Sequence, residues 1–469
     1  FSPPSQAGAA GRDSASKSGS SMSEIAATVL AAGKGTRMKS TLPKVMHRIA
    51  GRSMLGHVLD NLATLKPNRV VVVVGPGMES VAREAAPHPT VIQTEQLGTG
   101  HAVAATKPTL GTIEGTVLVL FGDAPFVGAE TMKRLAQRRE AADKPAVVVL
   151  GVRPEDPDGY GRLVTDARGN LERIVEQRDA TPEELEIELC NSGVMAIDGA
   201  MLWPLVDAIG NANAKSEYYL TDIAAIAQGK LRGVAVIEAD EEEIPLIGIN
   251  DRIELAEAEA ICQQMLRAHA LANGATMIDP GSVFLSMDTR LGQDVVIGPN
   301  VVFGPGVRVA DHVEIRAFSH IEGAEIESGA VIGPFARLRP GSKIGADAHV
   351  GNFVETKNAQ LGAGAKANHL TYLGDAKVGA RTNIGAGTIT CNYDGFVKAE
   401  TVIGDNVFIG SNSALVAPVT VGEGALVAAG SVVTRDVAAD AMVVARGQQV
   451  EKPGWAAKFR AARRHLKKK

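Results

Sequence analysis

Positively charged side chains and glycines are concentrated between residues 30 and 44, directly after an apolar run. Gly33 and Gly35 free the backbone to point N–H groups at an anion, and Arg37 and Lys44 add positive charge close by. This combination predicts a site that handles phosphate groups. Because the residues after Gly35 begin a helical pattern, we expect the glycines to form a turn between a strand and a helix.

Two better-known glycine motifs fit this segment poorly. A Walker A loop requires the pattern Gly-x-x-x-x-Gly-Lys-Ser/Thr, and a dinucleotide-binding turn requires a third small residue where Met38 stands. An ordinary strand-to-helix turn without a ligand is the remaining alternative, since glycines alone are weak evidence. The added cations Arg37 and Lys44 favour a nucleoside triphosphate site.

Length, charge and cysteine content narrow the class of protein. The chain has 469 residues, which is too long for one ordinary core and predicts two or three domains. With 48 Lys and Arg against 53 Asp and Glu, the formal net charge is −5, which argues against a nucleic-acid-binding protein and favours a small ligand. The three cysteines lie far apart, which fits a reducing cytosol better than a disulfide framework. No apolar run reaches the length of a membrane span and no segment resembles a secretory signal, so we expect a cytoplasmic protein.

Apolar runs alternate with helical patterns between residues 23 and 250. Continuous apolar runs, typical of buried parallel strands, cover residues 26–30, 70–74, 115–120 and 146–152. Candidate helices between them cover residues 55–65 and 129–141. The alternation predicts an α/β domain with a mainly parallel sheet, in which the glycine loop and Asp123 lie at the carboxyl ends of strands.

A connecting helix is predicted after this domain. Residues 251–273 carry apolar side chains at helical spacing, and Asn273-Gly274 supplies a stop signal. We therefore assign residues 251–280 to a linker. His269 in this helix is expected to be a packing or surface residue rather than a ligand.

Beyond residue 281 an apolar residue recurs at every sixth position, in runs separated by short phase shifts. Glycine follows many of these positions, which we attribute to the tight corners that short strands require. The period predicts a β-helix of hexapeptide repeats over residues 281–446. Because a thin prism buries little by itself, side-by-side association is expected. The repeated positions are Ile297, Phe303, Val309, Ile315, Ile321, Ile326, Ile332, Leu338, Ile344, Val350, Leu361, Ala367, Leu373, Val378, Ile384, Thr390, Ile403, Ile409, Leu415, Val421, Val427 and Val433.

The two ends of the chain differ in composition from the rest. Residues 1–22 are rich in Ser, Gly and Ala without periodicity, and we expect a disordered leader or one added for expression. Residues 447–469 carry many Lys and Arg. A solvated basic tail is the favoured interpretation of this segment, and specific anion binding is the alternative.

Residues 30–38 together with Lys44 resemble the sugar-1-phosphate nucleotidyltransferases, and the later segments resemble their bacterial bifunctional members from about residue 23 to about residue 454. The resemblance implies a Rossmann-like uridylyltransferase (pyrophosphorylase) domain followed by a left-handed β-helix acetyltransferase domain, assembled as a homotrimer. It also implies a role in cytosolic cell-wall precursor synthesis. The implied reactions are acetyl transfer from acetyl-CoA to glucosamine-1-phosphate, then Mg²⁺-dependent uridylyl transfer from UTP with release of pyrophosphate. The partners implied are these small molecules, without nucleic acid or membrane.

In the first domain the resemblance assigns Lys44 and Arg37 as catalytic cations. Asp123 and Asn250 match the magnesium ligands, but Asp251 stands where the family usually has a second Asn, so both positions remain open. Phe121 stands where the family often has Tyr. The sugar-phosphate contacts implied are Gly161, Glu176, Asn191 and Asn250. The nucleotide contacts implied are Leu30, Ala31, Ala32, Gly33, Lys44, Gln93, Gly98, Thr99, Phe121, Gly122 and Asp123, with the run Gln96–His101 expected to help recognise the base.

In the second domain the resemblance assigns His369 as the base that deprotonates the amine, with a structural histidine as the alternative. Glu355 is expected to hold His369 in its useful tautomer. Residues 391–399 break the six-residue period and predict an excursion that reaches a neighbouring subunit's site. The acetyl-acceptor contacts implied are Arg339, Lys357, Tyr372, Asn383 and Lys398, and the acetyl-CoA contacts implied are Asn392, Tyr393, Ser411, Ala429 and Arg446.

Two other functions are compatible with the same patterns. One is a regulatory or scaffold protein whose glycine loop has lost turnover, and the other is a monofunctional pyrophosphorylase with a β-helix that only assembles subunits. The presence of Lys44, Asp123 and His369 argues against the scaffold protein.

Overall fold

The computed structural model of the protein describes residues 24–166, 170–230, 232–239 and 248–466. The chain forms two compact units, Phe1–Ala258 and Glu259–Lys469. The expected leader, residues 1–22, lies outside the described residues, as do the last three lysines of the basic tail. Within the described ranges, no helix combines the length and the apolar character needed to cross a membrane.

The first unit is built on a sheet of nine strands. They are β1 (Ile25–Leu30), β2 (Arg69–Val74), β3 (Thr90–Ile92), β4 (Thr116–Phe121), β5 (Val147–Val152), β6 (Arg162–Thr165), β7 (Leu171–Val175), β8 (Cys190–Asp198) and β9 (Val234–Glu238).

The order of the strands in this sheet is β9-β5-β8-β4-β1-β2-β3, with β6 and β7 paired beside β8. Strand β8 runs antiparallel to β4 and β5, whereas β4, β1, β2 and β3 pair in parallel and β9 pairs in parallel with β5. The sheet is therefore mixed, and its strands run mainly parallel, as predicted.

The central strands are buried on both faces because helices cover the sheet. Strands β1 and β5 are buried along their whole length, which explains their continuous apolar sequences. The predicted strands and helices are present, with ends shifted by one or two residues. The helices are α1 (Met54–Ala63), α2 (Glu79–Glu84), α3 (Thr99–Ala105), α4 (Lys107–Leu110), α5 (Ala129–Arg139), α6 (Pro182–Leu185), α7 (Gly199–Val206), α8 (Ile223–Gly229) and α9 (Arg252–Ala272).

The prediction of a helix directly after the glycine loop was wrong. Only a single 3₁₀ turn, Thr36–Met38, follows Gly35, and Lys39 ends it in the left-handed conformation with φ 47°. A second 3₁₀ turn, Lys44–Met46, begins after Pro43. The loop therefore has no α-helix N-terminus directly behind it, and a helix dipole at that point contributes no positive charge.

The second unit starts inside α9 and continues into a parallel β-helix of short strands. Each strand pairs in parallel with the equivalent strand of the next coil, for example Ile297 with Ile315 and Ile315 with Ile332. The strands are Thr276–Met277, Arg290–Leu291, Val296–Ile297, Val302–Phe303, Arg308–Val309, Glu314–Ile315, His320–Ile321, Ala324–Ile326, Val331–Ile332, Arg337–Leu338, Ser342–Ile344, His349–Leu361, Lys366–Val378, Asn383–Ile384, Ile389–Cys391, Thr401–Ile403, Phe408–Ile409, Ala414–Val416, Val419–Val421, Leu426–Val427, Val432–Val433 and Met442–Val443.

The six-residue period marks the core of this prism. Every repeated position named above is buried, including Thr390. A second buried position lies two residues before many of them, and it holds small or branched residues such as Val295, Ala330 and Ser342. The sequence pattern alone did not identify this second inward position, because Ala and Ser there look like surface residues.

The glycines that follow the repeated positions are needed for a different reason than we expected. Among them only Gly333 has a positive φ, of 87°. A Cβ on Gly345 would lie 2.8 Å from the Ala363 nitrogen, and one on Gly379 would lie 2.4 Å from the Asp405 nitrogen. Glycine therefore lets successive coils approach each other, rather than permitting an unusual corner conformation.

The chain described by the structure ends in an exposed helix, α10 (Trp455–Arg463). None of its residues is buried, and the rings of Trp455 and Phe459 stack 5.0 Å apart. The expected basic tail thus contains a helix with an aromatic side.

All three cysteines are free thiols. Burial raises the pKa of the Cys262 thiol to about 12 and also raises the pKa of Cys190. A thiol with a raised pKa is a poor nucleophile, so these two cysteines serve packing.

Candidate active sites

The first unit contains a cleft of about 460 Å³ at the carboxyl ends of β1 and β4, which we call the front cleft. Leu30 at the end of β1 lies opposite Phe121 at the end of β4, so the loops after both strands meet. The predicted residues that line the cleft are Leu30, Ala31, Ala32, Gly33, Arg37, Lys44, Gln93, Gly98, Thr99, Phe121, Asp123, Glu176 and Asn250.

Gly35 lets Lys44 pack against the glycine loop. Gly35 has φ 59°, and a Cβ on it would lie 2.5 Å from the Cβ of Lys44. A side chain at this position would therefore push Lys44 away from the loop. A Cβ on Gly33 would have no other atom within 4 Å, so the backbone there is open to an approaching ligand.

The ammonium group of Lys44 is held between two oxygen-bearing side chains. It contacts Asp123 Oδ2 and donates to Asn250 Oδ1 over 2.9 Å. The side chains of Lys44 and Asp123 are largely buried, at 12% and 19% exposure, which strengthens their attraction. Residues far apart in sequence thus converge on one point at the edge of the sheet.

The structure distinguishes Asn250 from its neighbour Asp251. Asp251 Oδ1 accepts hydrogen bonds from the backbone of Ile253 and Glu254, over 2.8 and 3.0 Å, and so caps helix α9. Asn250 instead turns its amide oxygen toward Lys44 and Asp123. Of the two positions that sequence left open, only Asn250 faces the cleft.

Asp123 and Asn250 fit a hard cation such as Mg²⁺, because a carboxylate and an amide oxygen are the ligands it prefers. Within the described residues, no group of three or more His, Cys, Asp or Glu side chains could hold a metal ion. A cation at this place would therefore need phosphate oxygens and water as its further ligands.

Two glutamines fix the wall opposite the glycine loop. Gln93 Nε2 donates to the Gly98 carbonyl over 3.0 Å, and Gln96 Nε2 donates to the Ala32 carbonyl. Gly98 has φ 106°, and a Cβ there would lie 2.6 Å from the Tyr218 carbonyl oxygen. Gly98 is therefore required for the wall to close.

Glu176 is a largely buried carboxyl group in the cleft. It accepts a hydrogen bond from Thr221 Oγ1 over 3.1 Å, and burial raises the pKa of its carboxyl group. A carboxyl group in this position can accept hydrogen bonds from the hydroxyl groups of a bound sugar.

Three predicted contacts do not line the front cleft. Gly161 and Asn191 lie together, with the Asn191 N–H donating to the Gly161 carbonyl over 2.8 Å, and the Asn191 side chain accepts from the Gly193 N–H. Gly122 donates its N–H to the Leu30 carbonyl over 2.9 Å and so joins β4 to β1. None of the three is among the lining residues.

Sequence reasoning missed Lys215, Glu217 and Tyr219, which also line the cleft. They lie in a loop without hydrophobic periodicity. Tyr218-Tyr219 is an adjacent pair in a chain with only five tyrosines, and this rarity was a signal that could have drawn attention to the loop. The other lining residues are Gly35, Thr36, Val45, Gln96 and Ala102.

The β-helix carries a second candidate site on its surface, around His369, which we call the rear site. His369 is exposed on the long strand Lys366–Val378. Its Nδ1 lies 2.6 Å from Asn352 Oδ1 on the preceding coil, and Thr371 Oγ1 donates to its carbonyl over 2.8 Å.

Glu355 does not hold His369, contrary to our expectation. Its carboxylate accepts a hydrogen bond from Arg339 Nη1 over 2.9 Å and lies 3.7 Å from Arg337 Nη1. The attraction of two guanidinium groups explains why the carboxylate turns to them. Its effect is to fix the direction of Arg339.

Lys357 and Lys398 lie close enough to interact directly, with Arg339 nearby. The neighbouring Lys398 lowers the pKa of the exposed Lys357 ammonium group. Asp375 places a negative charge beside Lys357, and it accepts hydrogen bonds from Asn358 over 2.7 Å and from Asn392. Like charges held together in this way favour an anionic ligand.

The predicted excursion is present at the break in the period. Tyr393 forms an isolated antiparallel bridge with Lys398, and the loop between them is exposed, with Phe396 at 93%. Tyr372 lies opposite Glu355 on the preceding coil. Asn383 lies between Lys366 and Phe408 on neighbouring coils.

One corner of the prism brings His369 into line with the predicted acetyl-CoA residues. Successive coils are joined there by hydrogen bonds from Gly387 N to Leu370 O, Asn412 N to Ala386 O, and Gly430 N to Ser411 O, over 3.0, 2.7 and 2.8 Å. Each of His369, Ser411 and Ala429 directly precedes a corner residue of this series. Arg446 Nη1 donates to the Ala429 carbonyl over 2.5 Å at the far end.

The same corner carries a row of exposed phenylalanines on the coils before His369. The phenylalanine ladder consists of Phe318, Phe335 and Phe353, with exposures of 52%, 45% and 56%. Neighbouring rings stack with centroids 5.0 and 5.2 Å apart. Leu370, at 61% exposure, continues the row beside His369.

Comparison with known proteins supports both halves of this description. Residues 27–180 match the family of MobA-like NTP transferase domains. Residues 288–323 and 323–358 match the bacterial transferase hexapeptide family, and residues 400–435 match the hexapeptide repeat of succinyl-transferase.

Two relatives match this chain over nearly its whole length. The chain is 58% identical over 439 residues to the bifunctional protein GlmU of Paramagnetospirillum magneticum, covering 94% of this chain and 97% of the relative. It is 59% identical over 445 residues to the bifunctional protein GlmU of Rhodospirillum rubrum, covering 95% of this chain and 99% of the relative. Because both relatives are more than half identical to this chain over nearly the whole length of each, the chain belongs to the bifunctional GlmU family.

Proposed function

We propose that this protein makes UDP-N-acetylglucosamine in two steps. It is a bifunctional transferase: it moves an acetyl group from acetyl-CoA to glucosamine-1-phosphate, and it then joins the product to a uridylyl group from UTP with release of pyrophosphate. The observation that carries the proposal is the pair of sites in one chain. The front cleft collects cations at a strand edge, and the rear site combines an exposed histidine with an anion-binding cluster.

At the front cleft, uridylyl transfer needs positioning and positive charge rather than a strong base. A phosphate oxygen of the sugar attacks the α-phosphorus of UTP, a new P–O bond forms, and the bond to the leaving pyrophosphate breaks. Lys44, Arg37 and the backbone at Gly33 neutralise the phosphate charges. Glu176 is assigned to the sugar, and Gln93 and Gly98 to the base.

Asp123 and Asn250 would hold Mg²⁺, which when bound neutralises charge on the phosphate oxygens. Their oxygens already face a common point, where Lys44 supplies a positive charge. A bound Mg²⁺ would take these oxygens from Lys44, and the released ammonium group would then be beside the entering phosphates.

At the rear site His369 acts as the base in acetyl transfer. The amine of glucosamine-1-phosphate loses a proton to His369 Nε2 as its nitrogen bonds to the thioester carbon. The carbon–sulfur bond then breaks, and the coenzyme A thiolate leaves and takes up that proton. Arg339, Lys357 and Lys398 bind the sugar phosphate, and Tyr372 and Asn383 orient the acceptor.

The corner beyond His369 is suited to the pantetheine arm of acetyl-CoA. Its corner residues are Gly387, Asn412 and Gly430, which are small compared with the phenylalanines on the other side of His369. Ser411 and Ala429 border this narrow track, with Arg446 at its end for a phosphate of the nucleotide. Asn392 and Tyr393 would contact the coenzyme from the excursion.

We assign the functional assembly as a homotrimer formed by the β-helix. An exposed row of stacked aromatic rings needs a cover, and it ends at Leu370, next to the proposed base. A second copy on this corner would bury the phenylalanine ladder and complete the rear site at once. The excursion after Cys391 would then reach a neighbouring subunit's site.

The domain limits and location follow the same proposal. Uridylyl transfer is assigned to residues 23–250, the linker to 251–280, acetyl transfer to 281–446 and a basic tail to 447–469, with residues 1–22 as a leader. Acetyl-CoA and UTP are cytosolic substrates, and we place the protein in the cytosol.

One assay tests the proposed function directly. The protein is mixed with glucosamine-1-phosphate, acetyl-CoA, UTP and Mg²⁺, and free thiol and pyrophosphate are followed together. Thiol should appear first and pyrophosphate after it, because the acetylated sugar is the second acceptor. Pyrophosphate release from added N-acetylglucosamine-1-phosphate, together with no thiol release from glucosamine-1-phosphate, would favour a monofunctional pyrophosphorylase.

A further inference from the structure

We propose that Asn352 is a positioning residue of the rear site: its amide oxygen holds His369 in the tautomer whose Nε2 is free to accept a proton. The inference rests on the proposed acetyl transfer. It gives to a neutral amide the task that sequence analysis had given to Glu355.

Asn352 and His369 lie side by side on regular structure. Strands His349–Leu361 and Lys366–Val378 pair in parallel, with Asn352 opposite His369. Asn352 Oδ1 is 2.6 Å from His369 Nδ1, a short hydrogen bond. Because both residues belong to long strands of adjacent coils, the β-helix itself sets their separation.

The identity of the two atoms fixes the tautomer. An amide oxygen has no proton to donate, so the hydrogen must sit on His369 Nδ1. A neutral imidazole carries one such proton, and Nε2 therefore keeps its lone pair. This is the nitrogen that the proposed acetyl transfer requires as a base.

The other elements around His369 offer no second partner for its Nδ1. Glu355, three positions after Asn352, is bound to Arg339. On the following coil the corner consists of Ala386 and Gly387, which carry no ionisable group. Within the part of the chain that the structure describes, the ion pairs of histidines and of Glu355 do not include His369. A neutral acceptor thus orients the ring without adding a negative charge beside it.

Two variants of Asn352 separate orientation from simple structural support. Asn352→Ala should lower kcat of acetyl transfer by about 10–100-fold while KM for glucosamine-1-phosphate changes less than about threefold. Asn352→Asp keeps an oxygen acceptor for Nδ1 and should retain activity within about tenfold, with the acidic limb of its pH profile moved up by about one unit. Loss of activity in both variants with no movement of that limb would overturn the proposal.

A matched control lies on the same strand. Gln360 is exposed eight residues after Asn352 and presents an amide to a different face of the prism. Gln360→Ala should leave acetyl transfer unchanged, and uridylyl transfer should be unchanged in every variant. If Gln360→Ala reproduced the loss seen in Asn352→Ala, the effect would belong to the strand and not to His369.

Nitrogen NMR of the whole chain, with its histidines isotopically labelled, measures the tautomer of His369 without any enzymatic reaction. The His369 signal is identified by its disappearance in His369→Ala. Neutral His369 should carry its proton on Nδ1 in the unmodified protein and shift toward Nε2 protonation in Asn352→Ala. A proton on Nε2 in the unmodified protein would refute the proposal. The expected tautomer in a protein that fails to acetylate glucosamine-1-phosphate would refute the proposed function instead.

Discussion

The front cleft collects side chains from distant parts of the sequence, whereas the rear site collects them from adjacent coils. Lys44 and Asn250 meet although 206 positions separate them, while Asn352 and His369 are 17 positions apart. The front cleft is a recess within the first unit, whereas His369 lies on an exposed strand of the prism. A parallel sheet forms a crevice at the carboxyl ends of its strands, and in the proposed trimer a second copy would supply a wall for the rear site.

The two sites should therefore respond differently to mutation. Uridylyl transfer at the front cleft should be lost when a single charged side chain is removed, and it should not depend on the association of subunits. The rear site should depend both on its own base and on contact between subunits.

Asp123→Ala should remove Mg²⁺-dependent pyrophosphate release, with a loss of about 10³-fold or more, because the substrate phosphates lose a bound counter-charge. Coenzyme A release should be unchanged. The measurement is a coupled pyrophosphate assay beside a thiol assay. Asp60→Ala is the matched control, since Asp60 is an exposed carboxylate paired with Arg52 and should affect neither reaction.

His369→Ala should lower acetyl transfer by roughly 10²–10⁴-fold, because the attacking amine loses its base. Uridylyl transfer from N-acetylglucosamine-1-phosphate should be untouched. The measurement is thiol release under saturating acetyl-CoA. His320→Ala, an exposed histidine on the same prism, should keep both activities, and an equal loss of both activities in His369→Ala would contradict two independent sites.

Phe335→Ala should weaken association about 30-fold, since truncating an aromatic anchor at the centre of an interface costs about 2 kcal/mol. Acetyl transfer should then fall on dilution, while uridylyl transfer should remain constant per chain. Sedimentation and both assays over a dilution series measure this. An unchanged mass with both activities independent of concentration would show that the phenylalanine ladder is not the contact.

Glu176→Gln should change the pH dependence of stability in the first unit. Burial raises the pKa of Glu176, so the folded state binds its proton more readily than the unfolded chain. The associated stability is present at low pH and is lost as pH rises through the raised pKa. The Tm of the variant, relative to the unmodified protein, should therefore increase as the pH rises above the ordinary glutamate pKa of about 4.3. A difference that stays constant with pH would contradict this.

The fold was largely predictable because its two patterns are periodic. The repeated residues from Ile297 to Val433 face the core, and continuous apolar runs mark the buried strands. The patterns did not predict why glycine follows the repeated positions, and they did not predict the second inward position of each repeat. Both depend on how closely coils stack, which a period of six does not encode.

The site was less predictable from the residues alone. The glycine loop and Lys44 indicated phosphate chemistry, but the convergence of Asp123 and Asn250 on Lys44 depends on the order of strands in the sheet. Tyr219 lies in a loop with no periodic signal. The partner of His369 was missed because phase shifts in the repeat hide which residues of neighbouring coils face each other.

The phenylalanine ladder stands at corners where the backbone is strained. Phe318, Phe335 and Phe353 have φ angles of 60°, 57° and 55°, where glycine would relieve roughly 1 kcal/mol of strain at each corner. Glycine would thus suit these corners in a lone prism, whereas aromatic rings would suit them in the proposed trimer. Contact between the subunits of that trimer would offset the backbone strain that each phenylalanine adds to its own chain.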